Sequence, residues 1–400
     1  MQRNNFPHLT KDGLKISSKS RDVKPVNTVR LSENVPWLGR VNIRAEPVKN
    51  NGNIQATKSE DQNKGIVSSR RGRAPRAWRS NGSVIRKARG RNDTKGPFFN
   101  LRVPENGYAW WYLDGISTDN EKAISVIAFI GSVFSPWYRW YGRKNPHNHC
   151  CINVVTYGKK GRWTMTERGE STVILKDDMF KVGPSSISWA NNKLIVDIDE
   201  LTTPHLSRLK GQVIIEPSQI SNIEVPLKSD GTHIWRPFSP ISKIHVDLNI
   251  KGWNWSGHGY LDGNFGTRAL EDDFSYWTWS RLTGNSESMT FYDANLRDGS
   301  IFNLGLRFNN DGNIDFIEGV PKTSFSRSLW QVYREARSDS GYQPRQIQNF
   351  LDSPFYSRSK IRTKIQGNEV EGVHEALDLN RFANPLIKPM LALRIPRKRK

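Results

Sequence analysis

From Tyr108 onward the chain breaks into short β-prone runs closed by turn signals at spacings of roughly ten residues, a rhythm that suits an all-β sandwich or barrel. A first set of expected strands covers Ala109–Leu113, Ile124–Phe134, Cys150–Tyr157, Arg162–Glu167, Ser171–Leu175, Lys193–Ile198 and Gln212–Glu216. A second set covers Lys243–Ile250, Trp253–Leu261, Trp277–Leu282, Met289–Asn295, Ser300–Phe308 and Ile314–Glu318. Within it, Arg297-Asp298-Gly299 and Asn310-Asp311-Gly312 are hairpin signals. Ser328–Arg337 is expected to be helical, and Asp352–Arg358 reads as a turn-rich strip before a mostly polar tail. The two sets imply two consecutive barrel-like units, each able to close its sheet edges and keep an apolar cavity for one ligand. An internal echo points the same way, although weakly. Trp111-Tyr112-Leu113-Asp114-Gly115 in the first set is answered by Gly259-Tyr260-Leu261-Asp262-Gly263 in the second.

Charge separates this body from its ends. Residues 1–105 hold 23 Lys and Arg against 8 Asp and Glu, and residues 388–400 hold 6 against none. These ends carry the whole formal charge of +21, so residues 106–387 balance at 31 of each sign. The high isoelectric point therefore describes tails and not the chemistry of the folded body. Residues 1–105 are rich in Asn, Ser, Lys and Arg and show no sustained apolar period, as expected of a disordered basic extension. No secretory signal core stands in the first thirty residues, which makes the expected location cytoplasmic. The longest nearly apolar run, Ile124–Phe134, is far short of the ~20 residues a spanning helix needs.

Cys150 and Cys151 are adjacent, which suits neither a disulfide nor a C-x-x-C clamp, and His147 and His149 beside them find no second ligand pair at finger-like spacing. No metal is expected. The basic ends could attract nucleic-acid phosphates or anionic lipid headgroups. Without a nucleic-acid-binding motif in the body, the expectation is contact with the inner face of a membrane. The stretch Pro385–Lys400 supports it by mixing Leu, Ile and Met with Lys and Arg.

Twelve of the 14 tryptophans fall between Trp110 and Trp330, which core packing alone could explain. Parity singles out one segment, because alternate residues of a strand share a face. His233 and Trp235 point together. His258, Tyr260 and Asp262 share a second face while Trp253 and Trp255 take the opposite one. A carboxyl group among indole and phenol rings in an apolar pocket has its charged form disfavoured, so it stays protonated near neutral pH. Such an acid can protonate an isolated alkene, and aromatic faces can stabilise the resulting cation. From spacing alone, an ordinary Tyr-Leu-Asp-Gly turn with Asp262 capping a loop is the favoured explanation.

Further blocks carry a resemblance. Gly107-Tyr108-Ala109-Trp110-Trp111-Tyr112-Leu113-Asp114, Ile127-Ala128-Phe129-Ile130-Gly131-Ser132-Val133-Phe134-Ser135-Pro136 and Trp163-Thr164-Met165-Thr166-Glu167-Arg168-Gly169 resemble bacterial carotenoid 1,2-hydratase, also called hydroxyneurosporene synthase. Asn148-His149-Cys150, Gly257-His258-Gly259-Tyr260-Leu261-Asp262 and Asp352-Ser353-Pro354-Phe355-Tyr356-Ser357-Arg358-Ser359 continue the likeness, which runs from about residue 105 to 396.

The resemblance implies two consecutive lipocalin-like β-barrels, at 106–232 and 233–360, the second carrying the acid, with a basic tail at 361–400. It implies a cofactor-independent hydro-lyase that adds water to the terminal double bond of acyclic carotenoids such as neurosporene and lycopene. By the same resemblance Asp262 is the acid, with Tyr260, Trp235 and His233 as its catalytic neighbours, and His258 lines the substrate pocket through its parity with Tyr260. The basic extension before residue 105 is longer than the resemblance leads one to expect. A lipocalin-like cyclase or pericyclase, and a carotenoid or lipid carrier without catalysis, are the competing readings.

Overall fold

In a computed structural model, residues 29–35, 39–45, 79–80, 83–88, 96–158, 161–284 and 287–398 are described. The protein is all-β in character, with two principal sheets and a few short helices. Most of the expected disordered extension lies outside the described residues. Within it, Val29–Val35 pairs antiparallel with Gly39–Ala45. Its last ten residues belong to the body: Phe99, Leu101 and Val103 alternate into the core, and the Phe99 ring meets Trp111 edge-on at 5.0 Å.

The larger sheet is mainly an antiparallel meander. Tyr108–Ser117, Ala123–Ile130, Cys150–Tyr157 and Trp163–Met165 follow one another, as do the strands from Val173 to Pro217. The long strand His233–Leu248 pairs with Arg208–Pro217 on one side and with Asn254–Gly266 on the other. Asn254–Gly266 then pairs along its length with Tyr108–Ser117, bringing the far ends of this region together. The register of His233–Leu248 shifts twice between Arg236 and Ser242, where Pro237 and Pro240 lack the N–H a ladder needs.

The second sheet runs Ile314–Phe316, Ile301–Asn309, Glu287–Leu296, Phe274–Thr283, Asn368–Asp378, Tyr356–Ile365, Arg345–Asp352, all antiparallel. The change of sheet thus falls between Gly266 and Phe274, not at 233, and the strands carrying His233 and Asp262 belong to the larger sheet. Residues 361–378, expected to begin a polar tail, form the end of one strand and the whole of its inner neighbour. The strand signal is masked because Arg358, Lys360, His374 and Glu375 on these strands are polar yet buried or nearly so. Residues 328–337 are not helical; Glu335–Arg337 pairs with Lys322–Ser324 instead.

Each strand of the seam feeds two cores. Ala109, Trp111 and Leu113 pack with Val126, Phe180, Leu194 and Leu261 on one face of the larger sheet. Tyr108, Trp110 and Tyr112 point the other way, with Trp235 and Tyr260, onto Trp277, Trp279 and Tyr292 of the second sheet. The functional residues stand in this second layer.

Candidate active site between the two sheets

The two Tyr-Leu-Asp-Gly copies lie side by side on paired strands, not at matching places of two separate bodies. Tyr112 stands opposite Asp262, Leu113 opposite Leu261, and Asp114 opposite Tyr260. Neither copy is a turn, because both run in mid-strand. Gly115 has no Cβ to collide with Ile244, which a Cβ would approach to 2.5 Å. In each copy the tyrosine donates to the aspartate two residues on: Tyr112 to Asp114 Oδ2 at 2.7 Å and Tyr260 to Asp262 Oδ2 at 2.9 Å.

Their surroundings then diverge. Asp262 Oδ2 accepts a second bond from Trp235 Nε1 at 2.8 Å, while Oδ1 is buried with no hydrogen-bond partner. Trp235 pairs across the ladder with Asn264, which makes Asp262 its diagonal neighbour on the same face. Burial pushes the Asp262 carboxyl up to about 8, against the lowering effect of its two donors and with Glu375 and Asp114 adding to the rise. Asp114, by contrast, sits 2.9 Å from Arg281 and 2.8 Å from Arg358, and Arg358 also holds Glu375. These four charges are buried or nearly so and lie at one end of the aromatic layer.

A cavity of about 330 Å³ opens between the sheets, with Asp262 in its wall. Trp110, Tyr112 and Phe129 line it from the larger sheet, and Trp277, Trp279 and Tyr292 from the second. Trp279 lies 5.3 Å from the Tyr260 ring and 5.7 Å from Tyr112, both edge-on, so the acid is boxed by rings. The pocket is therefore a seam between sheets and not the interior of the barrel expected at 233–360.

The five residues expected from sequence fall into four positions. Asp262 reaches the cavity. Tyr260 and Trp235 stand behind it, fully buried, and orient its carboxyl group. His233 lies further off: Nδ1 meets the Tyr108 hydroxyl at 2.9 Å and Nε2 meets Asp273 at 3.0 Å. Burial pushes the His233 imidazole down, while Asp273 is held well below the carboxylate range by His233 and Lys228. His258, expected to line the pocket, is exposed and stands outside the cavity wall. It shares the face of Tyr260, but it lies beyond the point where the second sheet covers that face.

Asn264 was not singled out in sequence, although the same parity, extended two residues past Asp262, finds it. It is buried in the cavity wall, and its Nδ2 has no hydrogen-bond partner. Cys150 and Cys151 are free and buried; among the described residues His149 is engaged by Glu167 and Arg397.

The model of the carotenoid hydratase family CrtC matches residues 126–400. The chain belongs to this family. An acyclic carotenoid 1,2-hydratase of Cereibacter sphaeroides is 52% identical over 68% of this chain and 98% of its own length. That of Thiocapsa roseopersicina is 37% identical over 95% of both chains, so most of the basic extension has a counterpart there. Among solved structures, kievitone hydratase of Nectria haematococca aligns with a TM-score of 0.43 at 12% identity, over 69% of this chain and 90% of its own.

Proposed function

We propose that this CrtC family member is an acyclic carotenoid 1,2-hydratase in which Asp262 protonates the terminal alkene. The observation that carries the mechanism is a carboxyl group whose one oxygen is held by two donors while the other is buried at the cavity wall without a partner. The donors on Oδ2 favour placing the proton on Oδ1, the oxygen free to give it away. A carboxyl pushed to about 8 is mostly protonated at neutral pH, as an acid for an unactivated double bond must be.

The reaction balances as one water added. The Oδ1 proton forms the new C–H bond at C2, the π pair of C1=C2 supplies its electrons, and a tertiary cation is left at C1. Trp279, Tyr112 and Tyr292 line the cavity in which that charge develops, and aromatic rings there can stabilise a cation. Water attacks C1 and its surplus proton returns to the Asp262 carboxylate. Asn264, with an unpartnered Nδ2 beside the acid, is placed to hold this water; His233, with both ring nitrogens engaged off the cavity, is a supporting group behind the wall. No step draws on a cofactor. The two sheets are read as the two lipocalin-like units, divided between Gly266 and Phe274.

The test is incubation of purified protein with lycopene, followed by mass analysis. A product heavier by one water, absent with Asp262→Asn, is expected. Bound pigment with unchanged mass would turn the reading to a carrier, and an isomer of unchanged mass to a cyclase.

A further inference from the structure

The helix Ile387–Arg394 is built inside out. Its lysine, Lys388, is 3% exposed, with Nζ 3.3 Å from the centre of the Phe382 ring and 4.0 Å from Glu271 Oε1. Its outer face instead shows Met390 and Leu393, with Leu386 at its N-cap; Leu386 and Leu393 are 79% and 82% exposed. A helix in water does the reverse, keeping leucine in and lysine out. An inverted helix fits a medium outside it that is itself apolar.

The inversion continues around the cavity mouth. Met390 and Leu391 line the cavity from this helix, and Trp330 lines it from the facing loop. Leu329 beside it is 84% exposed, and Arg381 holds that loop in place through the Trp330 carbonyl at 2.8 Å. On the helix's other flank, Trp137 Nε1 donates to the Ile395 carbonyl at 2.7 Å, and the neighbouring Trp140 and Tyr141 are half exposed. The Thr203 hydroxyl reaches the Arg394 carbonyl at 3.0 Å, which sets Leu206, 68% exposed, near the same end. Exposed Leu, Met, Trp and Tyr thus gather at one rim, with Arg394, Arg397 and Lys398 next to them.

We propose that this rim is a membrane-docking surface: Leu386, Met390, Leu393, Leu329 and Trp330 enter the headgroup boundary of an anionic bilayer, so that the cavity opens directly into the lipid. Three observations favour a bilayer over a protein partner. The exposed aromatics are Trp and Tyr, which sit well at a lipid–water boundary. The exposed charge at the end of the helix and just after it, Arg394 and Lys398, is basic, complementary to acidic headgroups. Met390 and Trp330 belong both to the exposed rim and to the cavity lining, which gives an apolar substrate dissolved in lipid a path toward Asp262. This shifts the expected membrane contact from the basic ends alone to an apolar rim beside Arg394 and Lys398. Among the described residues no helix is long and apolar enough to cross a membrane, so the contact is with the surface layer.

The proposal rests on the carotenoid reading only for the reason a membrane is visited, and binding is measured without turnover. Full-length protein and L386Q/L393Q are floated with vesicles of phosphatidylglycerol and of phosphatidylcholine, and their hydration of lycopene is compared in detergent micelles and in vesicles. Leu386 and Leu393 are exposed and outside the cavity wall, so the variant is expected to fold and to keep its micellar rate. Wild-type protein should float with phosphatidylglycerol vesicles, and the variant should lose at least tenfold in binding and in hydration of vesicle-borne lycopene. Equal flotation of the two proteins overturns the proposal, as does failure of the wild type to float. Sedimentation supplies the remaining arm: a wild-type dimer that the variant dissolves, with vesicle binding unchanged, would assign the rim to a second copy of the chain.

Discussion

Two Tyr-x-Asp pairs face each other across one antiparallel ladder, and only one of them makes an acid. Tyr112–Asp114 and Tyr260–Asp262 share the same internal hydrogen bond and the same face of the sheet. Asp114 is met by Arg281 and Arg358, whereas Asp262 is met by an indole N–H and a phenol. Cations compensate a buried carboxylate; neutral donors orient the group without supplying a countercharge. The difference teaches that the second neighbour, and not the motif, decides whether a buried aspartate becomes structure or reagent.

The largest break in this comparison comes from Asp262→Asn. It keeps the shape and the contact with Trp235 but removes the transferable proton, so hydration should fall by about a thousandfold, within the range of general acid catalysis. Steady-state rates on lycopene measure it, and retained turnover would falsify the assignment. The same variant should alter stability in a defined direction. The folded state holds the Asp262 proton up to about 8 while the unfolded chain releases it near the ordinary carboxylate value, so wild-type stability declines with rising pH across that window. Asp262→Asn should lack that part of the decline in thermal unfolding measured from about pH 4 to about 9.

Next in size is the structural partner. Arg358→Met leaves Glu375 without the guanidinium that holds it and Asp114 with one arginine instead of two. Removing one member of a buried ionic group costs about 3 to 5 kcal/mol, which denaturant unfolding would detect. A loss below about 1 kcal/mol would show that the cluster is wetter than its burial indicates.

How much of this contrast was legible in the sequence depends on the residue. Parity along Trp253–Asp262 placed Tyr260 and Asp262 together and put Trp253 and Trp255 on the opposite face, because period-two alternation survives through Gly257 and Gly259 without a register shift against Tyr108–Ser117. The same parity misjudged His258: a shared face does not say where the covering sheet stops. The echo of Tyr-Leu-Asp-Gly was visible, but not that its copies pair, since the ladder joins segments far apart in sequence. Arg281, Arg358 and Glu375 were beyond reach for a related reason. Buried charges in a strand read as solvent-facing ones until their partners are known, and this also hid the strand Asn368–Asp378. The seam location of the cavity needed the contact between the two sheets, which no local pattern encodes.

The wild-type rate itself carries the next prediction, in the form of its pH dependence. Hydration requires the protonated carboxyl, so kcat/KM should hold at neutral pH and fall as pH rises through about 8. Tyr260→Phe removes a donor that stabilises the Asp262 carboxylate, so the alkaline limb should move upward by about one unit, as expected for a hydrogen bond to a charged group of ~1.5 kcal/mol. A downward or absent shift would mean that the limb belongs to another group.

The smallest effect should come from the mirror substitution, Tyr112→Phe. The hydroxyl it removes donates to Asp114, which keeps both arginines, so the lost bond should cost about 1 kcal/mol of stability. Because Tyr112 lines the cavity with its ring and not through a bond to the acid, the ring of phenylalanine preserves the apolar wall. The alkaline limb should therefore stay where it is in the wild type, while Tyr260→Phe moves it. Equal shifts from the two variants would show that the pairs are coupled through the ladder as one titrating unit. An immobile limb in Tyr112→Phe would show that the Tyr112 hydroxyl takes no part in tuning the acid, which then rests on burial and on the groups around Asp262 itself.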